Sequence, residues 1–298
     1  VSNLLIGATI SLYEGSPFYP DAKNFIKIIK KSEATILGAG AKAYEHLYSK
    51  QLQKKDTYIK NLKSILSTGS PLSDDTFNFI NKKINKSIPI HSISGGTDIV
   101  SCFMLGNPMK PVFKGEIQSP GLGMDIDVFD DRGLPTRKTG ELVCKSPFPS
   151  KPIYFWNDRN NKKYQSAYFT KYNNIWSHGD FVKKTGNGGY RVFGRSDATL
   201  NPGGIRIGTA EIYNTLNSLA FISDSLAVGY KDKNDEKIIL FLKSNSQINI
   251  TSKQITDIKK LIKKQLSPRH VPWKCFQVND IPRTKSGKIV ELAVKNII

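Results

Sequence analysis

Leu62-Lys63-Ser64-Ile65-Leu66-Ser67-Thr68-Gly69-Ser70-Pro71-Leu72-Ser73-Asp74 opens the stretch on which the fold turns, and Ile88-Pro89-Ile90-His91-Ser92 closes it. Leu62 to Ser67 is a short apolar run of strand length. Ser73 is a helix-capping residue ahead of a helix-period segment from Asp74 to Ile84, and Ile88 to Ser92 is a second apolar run. A strand, a helix and a strand in such close succession form a crossover unit, which predicts parallel strands. Upstream, Thr35 to Leu37 reads as a strand between helices at Asp21 to Lys31 and Tyr44 to Leu52, and Leu4 to Tyr13 as a further strand. The fold class is therefore α/β with a mostly parallel sheet. The alternation is already under way at residue 1, as expected of the latter part of a larger α/β domain.

Downstream of about Val112 the helical periodicity stops. Short strands alternate with turn signals such as Asp130-Asp131-Arg132-Gly133 and Gly186-Asn187-Gly188-Gly189, which predicts a small antiparallel, β-barrel-like subdomain over 112–196. Asn201-Pro202-Gly203-Gly204 then reads as a linker or hinge. The boundary expected is 1–196 for the large part and 197–298 for a small α+β C-terminal domain. That domain has helices at Thr209 to Leu219 and Ser252 to Leu266, and strands at Asp224 to Gly229, Lys237 to Leu242 and Lys274 to Val278. A tail stripe of Ile289, Leu292, Ala293 and Ile297 completes it.

The 298 residues are 39% hydrophobic and 23% charged, a composition that supports packed cores and excludes a disordered chain. The net charge of +19 could attract phosphate, nucleic acid or an anionic membrane. The lysines are nevertheless spread through the sequence, as in Asn81-Lys82-Lys83-Ile84-Asn85-Lys86, without the clustered basic and aromatic platform of a nucleic-acid binder. No apolar run reaches membrane-spanning length, and the first residues lack a secretory leader pattern. Cys102, Cys144 and Cys275 are too few and too dispersed for a disulfide framework, and the four histidines show no paired metal-ligand spacing. A reducing, cytoplasmic setting is expected. A P-loop and a G-x-G-x-x-G fingerprint are both absent.

The chemistry concentrates in five polar segments placed where open α/β sheets bind ligands. Thr68-Gly69-Ser70-Pro71 and Ser94-Gly95-Gly96-Thr97-Asp98 combine glycines that admit a flat ring or a phosphate, a hydroxyl for a phosphoryl oxygen, and a carboxylate suited to magnesium. Asp180, in Trp176-Ser177-His178-Gly179-Asp180, could accept two hydrogen bonds from a vicinal diol such as ribose. Arg195, in Gly194-Arg195-Ser196-Asp197, could fix the same sugar or a phosphate. Pro282-Arg283-Thr284-Lys285-Ser286-Gly287-Lys288 puts a glycine before a lysine, as suits a loop that carries an ammonium to an anion. Taken alone, the glycine-rich segments are more often ordinary surface turns, and the bland readings of the others are a turn salt bridge and a solvated basic turn.

In combination, these segments resemble the adenylate-forming acyl-CoA synthetases. The likeness rests on Ser94 to Asp98, Trp176 to Asp180, the long run from Gly194 through Asn201-Pro202-Gly203-Gly204 to Tyr213, and Ile281 to Lys288, all in the family's order. It is greatest toward the acetoacetate-activating members, through Gly106-Asn107-Pro108, Gly115-Glu116-Ile117-Gln118, Pro147-Phe148-Pro149-Ser150 and Leu266-Ser267-Pro268-Arg269-His270-Val271-Pro272. Such enzymes use ATP and Mg2+ to turn a carboxylate into an acyl-adenylate, then pass the acyl group to coenzyme A.

The resemblance implies that Gly69, Ser70 and Pro71 line the adenine, and that Gly95, Gly96 and Thr97 meet the adenine and phosphates. Asp98 would sit near the metal, Asp180 and Arg195 on the ribose, and Arg206 on the phosphates. Asp197 would be the hinge, Lys288 the catalytic lysine of adenylation, and Gly204 a point on the coenzyme A path. The family's Ser/Thr/Gly-rich phosphate loop has no counterpart in Val1 to Pro20. The chain is thus expected to match only the latter part of the large domain plus the whole small domain, to need the missing N-terminal half as partner, and to catalyse little alone. A non-catalytic module that binds an adenylate, coenzyme A or a protein is the alternative.

Overall fold

The computed structural model describes residues 2–232, 235–245, 249–284 and 287–298. After α1 (Ser2–Leu5), α2 (Ala22–Lys31) begins where the Asp21 carboxylate accepts the Lys23 N–H at 2.7 Å, and it turns Ala22, Ile26 and Ile29 inward. There follow β1 (Ile36–Gly40), α3 (Ala41–Ser49), α4 (Lys54–Thr57), β2 (Ser64–Thr68), α5 (Asp74–Phe79) with a π-helical continuation Ile80–Ile84, and β3 (Ile90–Ser92). The Ser73 hydroxyl caps α5 by accepting the Thr76 N–H at 3.3 Å. The three strands are parallel in the order β1-β2-β3. Leu37, Ile65 and Ile90 share one face, which Tyr44, Leu47, Phe79 and Ile80 help to bury.

The strand expected at Leu4 to Tyr13 does not form: beyond α1 the segment has no regular structure, and Leu5, Ile6 and Leu12 are exposed. Apolar composition makes a strand only where a partner strand supplies the ladder.

β4 (Ser94–Gly96), β5 (Ser101–Leu105) and β6 (Ser119–Pro120) form a small antiparallel sheet. Ser94 to Gly96, expected as a loop, is thus a strand. β7 (Ile126–Phe129), β8 (Gly140–Cys144) and, after α6 (Lys162–Tyr168), β9 (Trp176–Lys184) and β10 (Tyr190–Arg195) form a second antiparallel sheet in the order β10-β9-β8-β7. These sheets stay open, so the barrel-like subdomain is an antiparallel pair of sheets around a core with Phe103, Leu142, Trp176 and Val182 at its centre. Trp176 to Asp180 lies within β9 itself, where a strand end was expected.

After a short 3-10 turn at Pro202–Gly204 come α7 (Thr209–Leu216), β11 (Ile222–Asp232), β12 (Asp235–Ser244), α8 (Ser252–Gln265), β13 (Lys274–Gln277) and α9 (Glu291–Lys295). The sheet order is β11-β12-β13, antiparallel then parallel. Thr251 and Gln254 cap α8 reciprocally, and its Ile258 and Ile262 join Ile212, Leu216 and Leu240 in a separate core. The tail stripe is not buried as expected: Leu292, Ala293 and Ile297 face solvent, while Ile289 and Val294 pack inward against Leu226 and Ile281. Among the described residues, no helix is long and apolar enough to cross a membrane.

Candidate active site

The ends of β1, β2 and β3, the β4 hairpin, β9, β10, α7 and the segment before α9 together line a cleft of about 1020 Å³. At its centre β9 and β10 run antiparallel with Asp180 directly opposite Arg195. The Arg195 guanidinium donates to the Asp180 carboxylate at 3.3 Å and to the His178 carbonyl at 2.9 Å, and it lies 3.6 Å from the Asp197 carboxylate. The Ser94 hydroxyl donates to the other Asp180 oxygen at 2.9 Å. Burial opposes the charge on Arg195, but Asp180 and Asp197 outweigh it and raise its pKa, so the cation is held in place.

The register depends on a residue that the sequence did not single out. Glu141 on β8 is 1% exposed; one of its oxygens accepts the Gly179 N–H at 2.8 Å and the other the Lys171 ammonium at 2.6 Å. Gly179 has φ +83°, and a Cβ there would run into the Arg195 guanidinium. The backbone bends at Gly179, and Glu141 holds the bend. The available signal was a lone acid inside Gly140–Cys144, a strand whose five residues are all buried. Such a carboxylate needs partners, which marks it as part of a site or of a buried ion pair.

On the opposite side Asp98 folds back over Gly96, where a Cβ would meet its carboxylate, and it accepts the Tyr168 hydroxyl. Burial, then Asp98, raises the Tyr168 pKa, so the phenol stays protonated and donates. Its ring stacks on Trp176 with centroids 3.6 Å apart. No pattern in the sequence pointed to Tyr168. Asp98 offers hard oxygen, and among the described residues no group of three or more His, Cys, Asp or Glu could by itself hold a metal. That donor set fits magnesium, which takes one or two carboxylates and completes its shell from substrate phosphates and water.

The far wall is built from the C-terminal residues. The Glu291 carboxylate accepts the Tyr213 hydroxyl at 3.2 Å and the Thr209 hydroxyl at 3.5 Å, and burial raises its pKa. Lys288 also lines the cleft. Its backbone closes a turn with Thr284, whose N–H donates to the Lys288 carbonyl at 2.8 Å, while among the described residues its ammonium has no partner. Lys285 and Ser286, the middle of that loop, lie outside the described residues.

The cleft therefore brings together Gly69, Ser70, Pro71, Gly95, Gly96, Thr97, Asp98, Asp180, Arg195, Asp197 and Lys288 from their separate segments. It does not bring in Arg206 or Gly204. Arg206 lies over the Phe181 ring and pairs with Asp131 at 2.8 Å, and Gly204 sits on the exposed turn Pro202–Gly204.

The cleft is thus lined by glycine-rich turns, an acid–guanidinium pair and the Lys288 ammonium, which has no partner among the described residues, and residues 2–154 match the family of AMP-binding enzymes. The chain belongs to that family. Across its whole length it is 47% identical to the acetoacetyl-coenzyme A synthetase of Rhizobium meliloti (strain 1021), covering 46% of that protein, and 44% identical to the acetoacetyl-CoA synthetase of Gallus gallus, covering 45%. The solved acetoacetyl-CoA synthetase from Streptomyces lividans superposes with a TM-score of 0.90 at 36% identity, over 99% of this chain and 46% of that one. The chain thus spans just under half the length of the relatives it matches.

Proposed function

We propose that this cleft is the nucleotide site of an ATP-dependent acyl-CoA ligase whose acid is acetoacetate. In the first half-reaction a carboxylate oxygen attacks the α-phosphorus of ATP, an acyl–phosphate bond forms and pyrophosphate leaves. In the second the thiol of coenzyme A attacks the acyl carbon, giving the thioester and AMP. The observation that carries the reading is the meeting of Asp180 and Arg195 in a cleft that also holds Gly69 to Pro71 and Lys288. The names of the relatives support acetoacetate.

In this reading the Asp180 carboxylate accepts both hydroxyls of the ribose and Arg195 holds that carboxylate in place. Gly69, Ser70 and Pro71 border the base, and Gly95, Gly96 and Thr97 border the base and phosphates. Asp98 would hold Mg2+, which when bound neutralises phosphate charge. Lys288 brings positive charge to the phosphoryl group as the anionic carboxylate approaches. Residues 197–298 form a lobe that pivots at Asp197, so that Lys288 can withdraw once pyrophosphate has gone.

The test is a chimera in which this chain replaces its matching stretch of the Rhizobium meliloti synthetase, assayed for ATP–pyrophosphate exchange with a panel of short acids. Exchange driven by acetoacetate in preference to acetate or butyrate is expected. Exchange with no acid overturns the ligase reading. Exchange with equal response to all three removes acetoacetate.

A further inference from the structure

Two carboxylates at the rim of the cleft join the C-terminal residues to the large part of the chain. α3 starts directly after β1, and its first turns carry Lys42 and Glu45, three residues apart on one face of the helix and both lining the cleft. The Lys42 ammonium lies 2.8 Å from one Glu45 oxygen. The other Glu45 oxygen accepts from the side-chain amide of Asn217 at 3.4 Å, and Asn217 ends α7, 172 residues away in the chain. Lys42 has a second anion beside it. Its ammonium lies 3.9 Å from one oxygen of Asp224 on β11, and the other Asp224 oxygen accepts from the Arg283 Nε at 3.0 Å.

Arg283 carries the connection further, because the guanidinium that grips Asp224 also donates to the Gly287 carbonyl. Gly287 is the residue before Lys288. The contacts thus run without a gap from α3, through Lys42, Asp224 and Arg283, to the peptide group next to Lys288, with charge alternating along the way. The side chains of Glu45 and Asp224 are only 16% and 13% exposed, whereas that of Lys42 is 44% exposed. Acids so covered need partners. An ion pair that water still reaches contributes little, however, so a joint of this kind orients the two parts and can still release them.

We infer that Lys42 and Glu45 are positioning residues for adenylate formation: they seat the C-terminal lobe on α3 in the arrangement that places Lys288 in the cleft. The inference rests on the ligase reading and deepens it, since it names what sets the place of the proposed catalytic ammonium. Neither residue acts on reacting atoms. Reversing the charge at Glu45 sets a cation beside Lys42 and leaves the Asn217 amide without its acceptor. The lobe then leaves its seat, and Lys288 leaves the cleft with it.

Two measurements test this. On the full chain, spin labels carried by non-natural side chains at the exposed Lys27 and Lys260 report the distance between α2 and α8. Glu45→Lys should spread a narrow distance distribution toward longer values, and Glu45→Gln, which keeps an oxygen for Asn217, should leave it narrow. In the chimeric synthetase Glu45→Lys should lower the kcat of pyrophosphate exchange about tenfold, with the KM for ATP and thioester formation from a supplied adenylate unchanged. Glu45→Gln should recover most of that loss. Glu45→Ala and Asn217→Ala together should cost no more than the larger single loss. An unchanged distance distribution, equal loss of both half-reactions, a raised KM with kcat intact, or additive losses in the alanine pair would each overturn the inference. A distribution that spreads as expected beside a chimera that exchanges pyrophosphate with no acid upholds the seat and counts only against the ligase reading.

Discussion

Asp180 and Lys288 face one cleft but are held in opposite ways. Asp180 is in mid-strand on β9, nearly buried, with Ser94 and Arg195 on its two oxygens and Glu141 fixing the preceding glycine. Lys288 is exposed on a turn bonded chiefly to itself, and its ammonium is free among the described residues. The first arrangement suits a group that must hold the same position throughout a reaction. The second suits one needed only while charge develops, because few bonds resist its removal. In the proposed reading the contrast separates binding geometry from catalytic charge, and each half can be attacked alone.

The largest effect is expected at Lys288. At an effective dielectric near 20, an ammonium about 4 Å from an oxyanion contributes about 4 kcal/mol before desolvation, or roughly a thousandfold in rate. In the chimeric synthetase Lys288→Ala should therefore cut pyrophosphate exchange by about a thousandfold while sparing thioester formation from a supplied adenylate. Its melting temperature should not change. Equal loss of both half-reactions would place Lys288 in the fixed frame and erase the contrast.

Glu141→Ala attacks the other half. It strands the Gly179 N–H and leaves the Lys171 ammonium, one-third exposed, without its anion. Removing one partner of a buried pair costs about 3 to 5 kcal/mol, and the lower end applies because water reaches Lys171. A fall in melting temperature on the order of 6 °C is the expected reading. Glu141→Gln keeps an acceptor for Gly179 and should recover about half of it. Next in size is Gly179→Ala, where a left-handed backbone costs about 1 to 2 kcal/mol and the new methyl displaces the Arg195 guanidinium. Weaker ATP binding with only a small stability loss would identify this bend as a positioning element. An unchanged nucleotide affinity would remove it from that role.

Much of this frame was legible in the sequence. Ser73 announced the start of α5 because a cap is a local bond between near neighbours. The cleft residues were legible for a different reason: each segment alone also reads as a surface turn, and only their order along the chain, in its resemblance to a known family, singled them out together. Glu141 and Tyr168 were not, because their roles depend on Gly179 and Asp98, respectively 38 and 70 residues away in the chain. Leu4 to Tyr13 misled because apolar composition alone does not make a strand, and among the described residues no partner strand meets it. Arg206 shows the converse: its motif position is regular, but its guanidinium is engaged by Asp131, the Phe181 ring and the Ser196 carbonyl, contacts that its position in the motif does not record.

The smallest effect, at Glu291, tests whether the C-terminal wall also carries a fixed element. Its carboxylate is half-buried against Tyr213 and Thr209, and this desolvation, with Asp197 adding a like charge, raises its pKa above the ordinary 4.5. For an acid with a raised folded-state pKa, the folded form holds the proton more tightly than the unfolded one. The resulting cost to stability is absent below about pH 4.5, grows as pH rises toward the folded value and is complete above it. Glu291→Gln retains an oxygen for both hydroxyls but carries no charge. Thermal melts from about pH 4 to about pH 8 should therefore coincide at the acid end and separate toward neutrality, the variant melting higher by on the order of one or two degrees. If the variant instead melts lower at neutral pH, the ionised carboxylate stabilises the turn that presents Lys288, and the two walls differ less than their exposure implies.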